Sequence, residues 1–72
     1  MTIQTAIQLI AADPLAATLG PGAQVSLQQI ADLQRRGDYS AKQDEAAEAV
    51  AFHLTATEIK RVLARAHALR GE

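Results

Sequence analysis

The sequence predicts an all-α protein, a compact bundle of four main helices plus a short one-turn helix, forming a single helical domain over residues 1–72. Three observations predict it. Helix formers dominate: 16 of the 72 residues are Ala and 8 are Leu, and Ala, Leu, Gln, Glu, Lys and Arg outnumber the strand formers. Ser/Thr-x-x-Gln/Glu segments beginning at Ser26, Ser40 and Thr55 have the spacing of a capping box at a helix start. Two glycines, Gly37 and Gly71, follow helical stretches with basic residues in their last turn, where a left-handed stop and the helix dipole agree.

The first helix is expected from Ile3 to Ala12, with Thr2 as its cap. Ile3, Ala6, Ile7, Ile10 and Ala11 fall on one face, the spacing of an amphipathic helix. Asp13-Pro14 breaks it, because proline drives the preceding residue out of the helical region and itself suits the first position of a new helix. The one-turn helix is expected over Pro14–Leu19, stopped by Gly20-Pro21-Gly22. The next helix starts at a box, Ser26-Leu27-Gln28-Gln29, with Val25 and Ile30 as its hydrophobic staple, and stops after Arg35-Arg36 at Gly37. A second box, Ser40-Ala41-Lys42-Gln43, opens an alanine-rich helix with Asp44, Glu45 and Glu48 on its surface. A third, Thr55-Ala56-Thr57-Glu58, opens the last helix, with Leu54 and Ile59 as its staple. There Ile59, Val62, Leu63, Ala66 and Leu69 form an apolar stripe, and Thr57, Lys60, Arg61, Ala64, Arg65 and Ala68 lie opposite.

Composition excludes several classes. There is no Cys, and the net charge is −1. That removes disulfide scaffolds, thiolate metal sites and cysteine nucleophiles, and it removes nucleic-acid binding by bulk positive charge. No run approaches the ~20 apolar residues of a membrane span, and Met1-Thr2-Ile3-Gln4 lacks the basic start of a secretion signal, so a cytoplasmic location is expected. No nucleophile, base and orienting group occur together, so neither enzyme activity, cofactor nor small-molecule substrate is expected. Asp44, Glu45 and Glu48 read as a solvated acidic face. His53 and His67 each lack a second ligand at helical spacing, so no metal site is expected.

Charge is uneven. Residues 1–30 carry only Asp13, while all seven basic side chains lie in 31–72. A neutral apolar opening in so short a chain predicts association with itself or with another protein, through Ile3, Ile7, Ile10, Leu15 and Leu19. The expected function is a non-enzymatic protein–protein interaction module, homo-oligomeric or bound to a larger partner.

The alternative rests on residues 45–69. A helix ending near His53, the tight connection Leu54-Thr55-Ala56-Thr57 and a basic second helix resemble the general bacterial helix-turn-helix pattern. The resemblance implies a small DNA-binding regulator. Ala49 would pack at the helix crossing, Ile59 and Val62 would anchor the second helix, and Thr57, Lys60, Arg61 and Arg65 would face the major groove. The turn lacks a glycine, and the preceding helix is acidic.

Overall fold

The computed structural model describes all 72 residues. The chain forms α1 (Ile3–Ile10), a 3-10 turn (Pro14–Thr18), α2 (Pro21–Arg35), α3 (Ala41–Phe52) and α4 (Ala56–Leu69), with no strand. The all-α bundle with a short extra turn is therefore the fold. No helix is long and apolar enough to cross a membrane.

Helix ends follow local chemistry. The Thr2 hydroxyl accepts from the Thr5 N–H at 3.1 Å. Helix α1 stops at Ile10, two residues short of the expected Ala12, because the chain is already turning toward the extended backbone of Asp13 that Pro14 demands. The Asp13 carboxylate then accepts from the Leu15 N–H at 3.0 Å and caps the 3-10 turn. At α4 the reciprocal box is complete: Thr55 Oγ1 accepts from the Glu58 N–H at 3.1 Å, and Glu58 Oε1 accepts from the Thr55 N–H at 2.9 Å. Gly37 and Gly71 both adopt positive φ, 70° and 78°, as helix stops.

Two expected boxes are not formed. Helix α2 begins at Pro21, not beside Ser26, so Ser26 lies inside the helix and caps nothing. Pro21 takes a first-turn position, where its fixed φ suits the helix and its missing N–H costs nothing. The Val25–Ile30 staple is absent too: Val25 is 80% exposed while Ile30 is buried. At α3, Ser40 Oγ does cap, accepting from the Lys42 N–H, but Gln43 does not reach back. The Ser40 N–H instead donates to Asp38 Oδ1 at 3.2 Å, and Gln43 turns inward.

Helix α1 packs against both α3 and α4, α2 packs along α3, and the 3-10 turn bridges α1 and α2. Helices α3 and α4, though consecutive, scarcely touch. Half of the 14-residue core is alanine; the larger members are Ile7, Ile10, Leu19, Leu27, Ile30, Val50 and Val62. Small side chains let helices approach toward the short end of the 8–10 Å interaxial range, and the Cα radius of gyration is 10.9 Å. The core holds one polar side chain, Gln43. Its Oε1 accepts from Gln34 Nε2 at 3.1 Å, and its Nε2 donates to the Asp38 carbonyl at 3.2 Å. Gln34 Nε2 also donates to the Gln8 carbonyl at 2.6 Å. The network ties α1, α2, α3 and the α2–α3 loop together.

The expected association residues lie elsewhere than anticipated. Ile7 and Ile10 have no exposed surface and Leu19 is 4% exposed; Ile3 and Leu15 are half-buried against the same core. The apolar opening segment is covered within the protomer, because α3 and α4 close over α1 from two sides and the 3-10 turn folds back on α2.

Candidate functional site

The surface carries what the core leaves out. The large apolar side chains at least 40% exposed are Met1, Leu9, Val25, Tyr39, Phe52 and Leu69. Three stand far out, Phe52 at 87%, Val25 at 80% and Tyr39 at 74%, the last in the loop between α2 and α3. Phe52 and Val25 lie toward the same end of the α2–α3 pair, on separate faces. A side chain built at Gly22 would lie 2.9 Å from His53 Nδ1, so the start of α2 lies directly against the end of α3. Val25 is one turn along from Gly22. Phe52 adjoins His53, their rings meeting edge to face at a centroid distance of 5.7 Å.

Each of these two outward faces carries a shallow depression. On α3 it is lined by Glu45, Glu48, Ala49, Phe52 and His53. On α2 it is lined by Gln24, Val25, Gln28, Gln29, Asp32 and Arg36. Glu45 and Glu48 are exposed and make no ion pair. The interior offers no competing site, since every buried side-chain nitrogen and oxygen has a hydrogen-bond partner. No group of three or more His, Asp or Glu side chains could hold a metal ion.

The basic face of α4 is smaller than its sequence suggests. Thr57, Lys60 and Arg61 are exposed, and neither cation forms an ion pair. Arg65 is spoken for: its Nε and Nη2 donate to the Asp13 carboxylate at 2.8–3.2 Å. That side chain of Asp13 is only 10% exposed. The Arg65 guanidinium, with the Leu15 N–H, holds the Asp13 carboxyl below the usual carboxylate range, and Asp13 in turn raises Arg65. Glu58 is also held low, by the backbone N–H groups of Thr55 and Gly20 that it accepts from. Ala49, expected at a helix crossing, is exposed on α3, because α3 and α4 each pack on α1 rather than on one another.

Sequence spacing places Val25 in a staple and does not single out Phe52. The available signal was phase. Along α3 the apolar positions 46, 47 and 50 define an inner face, and Phe52 lies off it. No protein-family model, curated protein or solved structure matches the chain.

Proposed function

We propose that the chain is a non-enzymatic interaction module that binds protein through the outward face of α3, around Phe52. One observation carries this: the only Phe in the chain is 87% exposed. The core beneath it is half alanine. A lone exposed apolar residue is ordinary; Phe52 instead shares a depression with the exposed Ala49 and the unpaired carboxylates of Glu45 and Glu48, the make-up of a contact patch with a polar rim. The test is a photo-crosslinking residue at position 52, compared with the same residue at Thr18. A discrete adduct from position 52 alone supports the module. No adduct from position 52 in cell extract refutes it.

A helix-turn-helix regulator ranks second, favoured by Lys60 and Arg61 standing free on one face of α4. Two free cations match about two phosphates, against the six to ten contacts typical of strong sequence-specific binders. Helix α4 also lacks the bracing that α3 gives a recognition helix in that motif. Fluorescence anisotropy on a random duplex library decides it: flat titrations at ~50 mM salt remove this reading.

A further inference from the structure

Resting on that contact patch, we propose its occupant: the outward face of α4 from a second copy of the chain, docked head to tail on α3. The two faces complement each other in pattern as well as charge. Helix α3 presents Glu45, Glu48, Ala49 and Phe52, at positions i, i+3, i+4 and i+7. Helix α4 presents Thr57, Lys60, Arg61 and Ala64 at the same spacing, and all eight residues are exposed. With 1.5 Å of rise per residue, seating Phe52 over the small Ala64 and running the helices in the same direction brings Glu48 level with Lys60 and next to Arg61. Glu45 then falls level with Thr57, one turn from Lys60 and Arg61 and within reach of their long side chains. Phe52 meets the small Ala64 and Arg61 the small Ala49, while Glu48 meets Lys60 and Glu45 lies one turn from both cations.

The faces cannot meet within one chain, since α3 and α4 scarcely touch and both lie on α1. A contact between two different faces is heterologous, so every added copy leaves one free face of each kind, and the assembly grows as a ring or an open row. One helix face on another falls at the small end of specific interfaces, so the association belongs at high micromolar concentration. Its charged part is screened as salt rises.

Sedimentation equilibrium of the full chain tests this, from ~20 µM to ~1 mM in ~20 mM salt. The weight-average mass is expected to climb from 7.7 kDa past that of a dimer, and to fall back in ~500 mM salt. Two surface variants separate the faces: Phe52→Ala with Glu48→Gln disables the receiving face, and Lys60→Gln with Arg61→Gln the inserting face. Circular dichroism should show both folded. Each alone should associate about tenfold more weakly or worse, a change of ~1.4 kcal/mol. Mixed in equal amounts, they should form a complex that stops at two chains, because only one intact pair of faces remains. Wild type that stays at 7.7 kDa at the highest concentration overturns the proposal. So does undiminished association of the Lys60/Arg61 variant, which would point to a symmetric contact through α3. In either case the crosslink from position 52 still reports separately whether the patch binds another protein.

Discussion

Gln43→Glu is the most searching substitution the structure offers, because it changes one buried atom and keeps the shape. Gln43 is 1% exposed. Its amide accepts once from Gln34 and donates once to the Asp38 carbonyl. A carboxylate still accepts from Gln34 Nε2, but its second oxygen faces a carbonyl oxygen with no proton between them. A neutral carboxyl can supply that proton. The variant's carboxyl is therefore raised above the ordinary glutamate value of ~4.3 in the folded state. The penalty is absent below the unfolded value, grows as pH rises, and is complete above the folded value. At pH 7 an unpaired buried charge costs about 3–5 kcal/mol. For 72 residues, at ~2.1 cal/mol/K each, the unfolding entropy is ~0.15 kcal/mol/K, so each kcal/mol shifts Tm by ~7 °C. The expected loss relative to wild type is ~20–35 °C at pH 7 and under ~10 °C at pH 4. Gln43→Leu removes both bonds without adding charge. It should lose a similar ~1–2 kcal/mol at both pH values, since Gln34 Nε2 keeps the Gln8 carbonyl. Thermal melts followed at 222 nm measure all of this. Equal losses for Gln43→Glu at the two pH values would refute the assigned bond directions.

Two further substitutions check the helix ends and the ion pair. Ser26→Ala should leave Tm unchanged or slightly raised, since Ser26 is an interior helix residue, whereas Thr55→Ala should lose ~1 kcal/mol, or ~7 °C, with its cap; equal losses would restore Ser26 as a cap. Asp13 sits below its ordinary value of 3.8 because of Arg65, so its contribution to stability is intact above that value and disappears as pH falls through the depressed one. Melts from pH 6 to 2 should therefore fall less steeply below pH ~4 for Asp13→Asn than for wild type, and parallel curves would contradict the pairing.

Most of the fold was legible because it rests on local chemistry. The Asp13-Pro14 break, the Thr55–Glu58 box and the stops at Gly37 and Gly71 are decided within a few residues. The errors came where distant residues decide. Gly20-Pro21-Gly22 follows the end of the 3-10 turn, as its composition predicts, yet it also starts α2. Glu58, 38 residues away in sequence, accepts from the Gly20 N–H, and the His53 ring lies where a side chain at Gly22 would stand. Ser40-x-x-Gln43 has the spacing of a box, but Asp38 takes the Ser40 N–H first and frees Gln43 for the core. The opening isoleucines announced a need for cover without saying what supplies it. Arg65 resembled its neighbours Lys60 and Arg61 until Asp13, 52 residues earlier, claimed it.

The exposure of Phe52 is set by helical phase rather than by a loose end. Helix α3 buries Gln43, Ala46, Ala47 and Val50, a stripe at i, i+3, i+4 and i+7. At ~100° per residue, Phe52 lies nine residues, and so about half a turn, from Gln43. Turning it inward requires rotating α3 by that half turn. The burial of one Phe is worth ~1.5–3 kcal/mol. The rotation would expose Val50 and two alanines against α1 and α2, and break both bonds of Gln43. That loss exceeds the gain, so no rearrangement of the protomer hides Phe52 cheaply. Val25 is held out in the same way, by a stripe of Ala23, Leu27 and Ile30 that fixes the phase of α2. Their apolar surface can leave water only against another molecule, and the hydrophobic term that folds the chain is then also the term that favours its docking.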